Sequence, residues 1–497
     1  DTLRAYLDGC YREHILRSKR SGEMRRQQES KRKPSVMRYV KKFEFELFKG
    51  IKIWMMTPEV VSEIMPLEAD LFDLLIFDEA SQIYVEKGIP AIARAKKVLI
   101  VGDHKQLRPS GLGIGRADFA EEESEEAEES EGLAALEEES LLDLARFKFP
   151  SVVLDYHYRS KYEELIAFSN YAFYKGRLHV SPNVSPPEKP PIEVIKVEDG
   201  KWIDRTNLAE AERVVRLLKD FFASRKKAQT VGIITFNSYQ RDLVMDLLDR
   251  EGRTDPAFSD ALKRETERKE NGEDIGLFVK NIENVQGDER DCIIFSIAYA
   301  KNESGKVVRN FGWLNQRGGE NRLNVAISRA KEKIYIVTSI EPFELSVGDL
   351  ANNGPKLFKK YLEYACAVSR GDKAAARTIL IGLCGETTEA DISTADTEFE
   401  DAVYESLAGA GYEVERGIGI GGYRIDLAVK KDGKYLLGIE CDGKLYIGSD
   451  STRERDVHRQ KYLESRGWSI YRLRANRWWR DPKGEIARIA KQLKAKN

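Results

Sequence analysis

Short, continuous runs of Ile, Val and Leu recur along the chain at Ile51–Thr57, Leu71–Phe77, Lys97–Val101, Val152–Asp155, Ile192–Val197, Thr230–Thr235, Leu277–Lys280, Cys292–Ala298 and Ile334–Thr338. A strand built from such a run has no polar face, so it needs cover on both sides, and helix-covered parallel sheets provide it. Helical patterns at Leu208–Ala223 and Tyr239–Arg250 fall between the runs. The chain therefore reads as α/β. A Pro-rich break at Ser181–Pro191 reads as a linker between two α/β units, 51–190 and 191–384, the second ending in a helical tail over Leu357–Leu383. Residues 1–50 read as a basic helical arm and the Thr-rich stretch 385–397 as a second linker. A third unit, 398–497, runs helix (Phe399–Ala408), strands (Tyr423–Val429, Tyr435–Cys441), helix (Arg453–Arg466) and strand (Ser469–Leu473).

Charge is unevenly placed. The net value is only -2, yet residues 121–139 hold 11 acidic side chains and no Lys or Arg. Residues 1–50 carry 14 basic groups against 7 acidic, and residues 444–497 carry 15 against 6. Basic ends suit contacts to a nucleic-acid backbone, among them Arg25, Arg26, Lys31, Arg32 and Lys33 in the arm. The acidic stretch reads as a solvated insertion, either a merely disordered loop or one that shields a basic path when no DNA is bound. No run approaches the roughly 18 apolar residues that span a bilayer, and no signal pattern opens the chain, so a cytoplasmic protein with no membrane partner is expected. The 5 cysteines are scattered without a C-x-x-C, against a disulfide framework or zinc knuckle. The first residue is Asp, which suggests a fragment or a processed product.

The chemistry-bearing motifs sit at strand ends. Leu74–Phe77 leads into Asp78-Glu79, where Asp78 can hold magnesium through water and Glu79 can orient the water that attacks a γ-phosphate. The next strand ends in Gly102-Asp103-His104-Lys105-Gln106, followed by Tyr158-Arg159-Ser160, Asn284-Val285-Gln286-Gly287-Asp288-Glu289 and Asn324–Ala330 with Arg329. In order and spacing these resemble the motifs of superfamily 1 helicases from the Walker B element onward, over about residues 40–365. The resemblance implies two RecA-like domains with ATP and Mg2+ between them. Asp78 and Glu79 would serve metal and water, and Gln106 would couple the γ-phosphate to the nucleic acid. Arg159 and Arg329 would reach the γ-phosphate, Gln286 would join nucleotide and strand binding, and Gly102, Asp103, Gly287 and Glu289 would line the nucleotide. A G-x-x-x-x-G-K-[ST] loop should precede the Walker B strand, and residues 1–73 hold none. The first RecA-like domain is thus expected to be incomplete. The chain would be the C-terminal portion of a helicase, or half of a split one, unable to hydrolyse ATP alone. An upstream segment or a partner chain would supply the loop.

In the third unit, Glu400 falls on a helix, Asp426 on a strand, and Glu440 and Asp442 flank Cys441 on the next. Such a carboxylate set suits magnesium, with Asp426 and Glu440 as ligands. Ile439–Gly443 followed by Arg453, Arg455, Asp456 and Gly467-Trp468 resembles the PD-(D/E)XK nuclease superfamily, in its very-short-patch repair branch. That resemblance places Glu400, Asp426, Glu440, Asp442 and the nearby Lys444 in catalysis. Asp442 stands where a lysine is usual, and Ile447 where a histidine is expected. Arg453, Arg455, Arg459, Arg472, Arg474, Arg477 and Trp478-Trp479 suit phosphate contacts and base stacking, with at least one tryptophan expected in the core. The expected function is a DNA helicase or translocase fused to a metal-dependent endonuclease, acting on DNA with single-stranded regions in defence or repair. The helicase motifs lie closer to the 5′-to-3′ branch by resemblance. The rivals are a repair helicase whose nuclease-like domain only binds ends, and a regulatory nucleic-acid-binding protein with inactive ATPase and nuclease sites.

Overall fold

The computed structural model describes residues 2–109, 140–185, 187–225, 228–307, 311–316, 318–384, 397–420, 423–442 and 458–494. The acidic stretch 121–139, most of the linker 385–397, Lys444, Ile447, Arg453, Arg455 and Asp456 lie outside the described residues. The chain divides into two compact units, Asp1–Val152 and Val153–Asn497.

The first unit begins with four helices, α1 (Thr2–Tyr11), α2 (Ser21–Glu29), α3 (Val36–Lys42) and α4 (Glu44–Gly50), then α5 (Pro58–Ile64). Beyond them lie β1 (Leu75–Phe77), α6 (Val85–Ile92), β2 (Val98–Ile100) and α7 (Leu141–Lys148). The basic arm is packed: Met24, Val40, Phe43 and Leu47 share one apolar cluster with Phe77, Ala80 and Leu141. β1 and β2 pair in parallel, Leu75 with Val98 through Phe77 with Ile100. The expected strands Ile51–Thr57 and Val152–Asp155 do not form. An apolar run becomes a strand only when a partner edge runs along it; Trp54 instead folds back to donate to the Ile51 carbonyl at 3.1 Å, and the second segment meets a partner only at its end, where the Asp155 carbonyl accepts from the His179 N–H and Tyr156 forms an isolated parallel bridge with His179.

The second unit opens with α8 (Glu164–Tyr174), and its central sheet follows. In chain order come β3 (Ile192–Lys196), α9 (Leu208–Ser224), β4 (Val231–Thr235), α10 (Ser238–Thr254), α11 (Pro256–Thr266), β5 (Phe278–Asn281), β6 (Arg290–Ser296), α12 (Gly319–Ile327) and β7 (Ala330–Thr338). The sheet order is β3-β7-β6-β4-β5, all parallel. Every residue of β4 is buried, as a strand covered on both faces requires. Asn207, Asn237 and Asp255 cap α9, α10 and α11 through their side chains. Helices α13 (Asn353–Ser369) and α14 (Lys373–Cys384) follow as the helical tail.

The C-terminal part comprises α15 (Thr397–Gly409), β8 (Glu413–Ile418), β9 (Ile425–Lys431), β10 (Lys434–Asp442), α16 (Gln460–Ser465), β11 (Ile470–Arg474), α17 (Ala475–Arg480) and α18 (Pro482–Lys494). Its sheet runs β8-β9-β10-β11, antiparallel except for the last, parallel pair. Trp478 is buried in this core and Trp479 is exposed. The Pro-rich segment is not the free linker its composition suggests. The Trp468 ring donates to the Pro182 carbonyl at 2.8 Å, the Ser181 N–H donates to the Tyr462 hydroxyl at 3.1 Å, and Val184 packs against the apolar cluster that includes Ile425, Leu463 and Trp468. The expected boundary near residue 190 therefore falls inside the second unit.

Glu210, fully buried on the first turn of α9, ties that helix to the ends of β6 and β7. Its carboxyl accepts from Ser296 Oγ at 2.9 Å and the Ala298 N–H at 2.5 Å, with Ser339 Oγ at 3.4 Å. Burial pushes its pKa up to about 8 despite those bonds. A carboxyl that holds its proton more tightly when folded makes the protein less stable as pH rises from the unfolded value through about 8. Glu210→Gln lacks this titration. Its unfolding free energy relative to the parent should rise by a few kcal/mol, as an order of magnitude, between acid and pH 8.5 in urea titrations; a pH-independent difference would contradict the assignment.

Candidate functional site

In the first unit, the parallel pairing of β1 and β2 places their carboxyl ends side by side. Val101 N–H donates to the Phe77 carbonyl at 2.9 Å, and the Ala80 N–H donates to the Val101 carbonyl at 2.9 Å. The chain turns sharply at Glu79, whose backbone is left-handed (φ 52°), an arrangement that costs about 1 kcal/mol or more for a non-glycine residue and recurs at functional sites. The Glu79 N–H donates to Asp78 Oδ1 at 2.9 Å, and both carboxylates lie exposed at the strand end. Gly102 stands against this turn: a Cβ there would lie 3.1 Å from the backbone nitrogens of Ala80 and Ser81 and from Leu142 Cδ2. Beyond it, Asp103 accepts from the Lys105 N–H at 2.8 Å and from Gln106 Nε2 at 3.1 Å. The structure thus brings together Asp78, Glu79, Gly102, Asp103 and Gln106.

In the second unit a separate group forms. Arg159 Nε pairs with Glu289 Oε2 at 2.7 Å, and Lys331 Nζ holds the other Glu289 oxygen at 2.8 Å. Burial works against ionisation of Glu289, but Lys331 and Arg159 outweigh it and hold the carboxyl below its ordinary range. Arg329 is buried, donating to the Val325 carbonyl at 2.8 Å, to Ser328 Oγ at 3.0 Å and toward the Asp288 carbonyl at 3.4 Å. Arg159 also reaches the Ser328 carbonyl at 3.4 Å. Gln286 is half-buried in the turn after β5, and Gly287 adopts φ 83° there. The residues therefore fall into a strand-end group in one unit and an arginine group in the other. Lys331, which sequence reasoning passed over, directly follows Arg329-Ala330, and its proximity in sequence was the available signal.

The C-terminal carboxylates are arranged differently from expectation. Among the described residues no three His, Cys, Asp or Glu side chains stand ready around one point. Asp426 Oδ2 accepts the Cys441 N–H at 2.7 Å, Glu440 pairs with Arg459 at 3.1 Å and Asp442 with Arg472 at 2.9 Å. Buried carboxylates need such partners, which is why arginines taken as phosphate contacts turn inward. Burial pushes Glu440 up to about 7 against the pull of Arg459, with Asp426 and Asp442 adding to the rise. Asp426 is raised by the same cause. Glu400 lies near enough on α15 that its charge, with those of Asp426, Glu440 and Asp442, helps to raise the Cys441 thiol, for which burial is the main cause. Asp442 Oδ2 is buried without a hydrogen-bond partner among the described residues. That buried oxygen, beside carboxylates that repel one another, could take a divalent cation, but Asp426, Glu440 and Asp442 do not converge on one point and each is held by its own donor.

Two AAA domain models match the chain, at residues 12–111 and 137–341, and the restriction-endonuclease model REase_MTES_1575 matches residues 399–493. The chain thus joins superfamily 1 helicase domains of the AAA type to a restriction-endonuclease-like domain. It is 32% identical over 457 residues to an uncharacterized ATP-dependent helicase of Mycoplasma genitalium, covering 91% of this chain and 39% of that protein. An uncharacterized ATP-dependent helicase of Methanocaldococcus jannaschii is 26% identical over 54% of this chain and 36% of its own length. A regulator of nonsense transcripts 1 homolog from Neurospora crassa is 26% identical over 54% of this chain and 22% of its own length. The chain spans well under half the length of these relatives. No described helix is long and apolar enough to cross a membrane.

The close approach at Gly102 is directly testable. Gly102→Ala asks the Ala80-Ser81 backbone or Leu142 to give by a few tenths of an ångström, and if the packed turn does not yield, the expected cost is about 1 kcal/mol. Urea unfolding or limited proteolysis of the first unit should register the loss, and unchanged stability would show that the turn yields to the added methyl group.

Proposed function

We propose that this chain is the C-terminal working half of an ATP-dependent DNA helicase or translocase, fused to a metal-dependent DNA endonuclease that acts on foreign or damaged DNA with single-stranded regions. The observation that carries this reading is the meeting of Asp78-Glu79 with Gly102–Gln106 at adjacent parallel strand ends, where α/β folds place ligands. Asp78 would hold the magnesium of the nucleotide, Glu79 would orient the attacking water, and Gln106, tethered to Asp103, would report the γ-phosphate to the strand site. Arg159 and Arg329 would stabilise charge on the transferring phosphoryl group, and Gln286, Gly287 and Glu289 would link nucleotide to nucleic acid.

No G-x-x-x-x-G-K-[ST] loop occurs in these 497 residues. Leu74, Ile76, Leu99 and Val101 leave an apolar face of the two-stranded sheet exposed, which supports completion of this domain by further sheet and helix carrying that loop. The chain alone should therefore hydrolyse ATP at most weakly.

At the C-terminal site, magnesium held by Asp426 and Glu440 would supply Lewis acidity toward a scissile phosphate. Before it arrives, Arg459 and Arg472 hold the carboxylates in place, and Asp426 is oriented by the Cys441 N–H. The same arginine pairs favour a second reading, in which this domain binds DNA without cutting it. Asp426→Ala and Glu440→Ala separate the two: magnesium-dependent cleavage of plasmid and single-stranded DNA should fall by about 10³-fold or more while gel-shift affinity is kept. Absence of any cleavage by the parent protein, with normal binding, would select the second reading. Measurable DNA-stimulated ATPase of this chain alone, lost in Glu79→Gln, would overturn the dependence on an external phosphate loop.

A further inference from the structure

The Tyr158-Arg159-Ser160 motif is held by residues of the restriction-endonuclease-like domain. Arg466, at the C-terminal end of α16, donates through Nη2 to the Ser160 carbonyl at 2.6 Å and through Nη1 to the Tyr158 carbonyl at 3.1 Å. Those are the carbonyls on either side of Arg159. Charge-assisted bonds from one planar guanidinium to two carbonyls fix the peptide between them in orientation as well as position. One helical turn back, the Tyr462 hydroxyl donates to the carbonyls of His157 at 2.7 Å or His179 at 3.0 Å, and its ring meets Tyr158 edge-on at 5.3 Å. From within the motif, His157 Nε2 accepts from the Ser160 N–H at 3.0 Å. Burial, with the charges of Arg159 and Arg466, holds that imidazole neutral, its pKa down to about 4, so the acceptor is preserved at physiological pH.

The same helix touches the carboxylate site at its other end. Arg459 donates to Glu440 at 3.1 Å and to the Arg424 carbonyl at 2.9 Å, and its guanidinium lies 4.7 Å from the centre of the Tyr423 ring. Tyr423 in turn stacks on His179 at 4.5 Å. From Arg459 to Arg466 is about two turns of helix, a short rigid element with the proposed cleavage site at one end and the arginine motif at the other.

We propose that Arg466 is a positioning residue for Arg159: through the carbonyls of Tyr158 and Ser160, the restriction-endonuclease-like domain sets the arginine motif of the motor, so that ATP turnover depends on a domain outside the helicase fold. This rests on the reading of Arg159 as a γ-phosphate arginine. A residue that only glued domains together would affect stability; one that aims Arg159 affects transition-state stabilisation and leaves ground-state nucleotide binding nearly unchanged.

The test uses the ATP-hydrolysing form, this chain together with the segment or partner that supplies the phosphate loop. Arg466→Ala should lower kcat for DNA-stimulated ATP hydrolysis by about tenfold or more with KM for ATP within about twofold, and Arg466→Lys, which keeps one charged donor, should recover part of it. In this chain by itself, hydrogen exchange at the Ser160 and Lys161 amides should quicken in Arg466→Ala while β4 and β6 stay protected. Arg159→Ala is the reference. If it loses turnover and Arg466→Ala does not, with exchange unchanged, the positioning role is overturned and the reading of Arg159 stands. If Arg159→Ala turns over normally, the reading of Arg159 fails and the positioning role fails with it.

Discussion

Burial of parallel strands on both faces is the constraint on which the rest of this molecule depends. Strands such as β4, with no exposed residue, leave polar chemistry nowhere to stand except at the carboxyl ends, where the backbone turns away from the sheet. Asp78, Glu79 and the Gly102–Gln106 loop also sit at the carboxyl ends of parallel strands, although β1 and β2 are covered on one face only, and at the left-handed turn of Glu79 the backbone of Ala80 and Ser81 packs closely on Gly102. Glu210 follows the same logic on the second sheet, filling the space where helix and strand termini converge.

The restriction-endonuclease-like domain solves a different problem. Its carboxylates lie on an antiparallel hairpin and are mostly removed from water, so each is held by a donor: Asp426 by a backbone N–H, Glu440 by Arg459 and Asp442 by Arg472. Desolvation raises the cost of keeping three negative charges together, and the arginines offset it. Arg459 thereby joins the packing of Tyr423 and His179, so the segment carrying the arginine motif and the carboxylate site share one aromatic cluster.

The class of the domains and the placement of the motifs were legible in the sequence because the motifs are local: Asp78-Glu79, Gln106, Arg159, Gln286 and Arg329 each follow an apolar run or a recognisable turn. Less legible were segments whose fate depends on a distant partner. Ile51–Thr57 and Val152–Asp155 have strand composition, yet neither forms a strand, and the second is paired only at Asp155, through His179. Ser181–Pro191 has linker composition, but Trp468 and Tyr462, nearly 300 positions away, bind its backbone. Arg459 and Arg472 looked like surface phosphate contacts because a sequence pattern does not show which charges must neutralise one another in a low-dielectric core.

By itself the sequence determined the α/β class, the alternation of buried strand and covering helix, and the identity of the groups placed at strand ends, since periodicity and local turn chemistry depend on near neighbours. The tertiary structure alone decided that Arg159 rests on Glu289, that arginines hold the C-terminal carboxylates, and that Arg466 clasps the peptide around Arg159. Those pairings join residues up to 308 positions apart. Only the folded backbone brings such groups within the few ångströms over which a charge or a hydrogen bond has force.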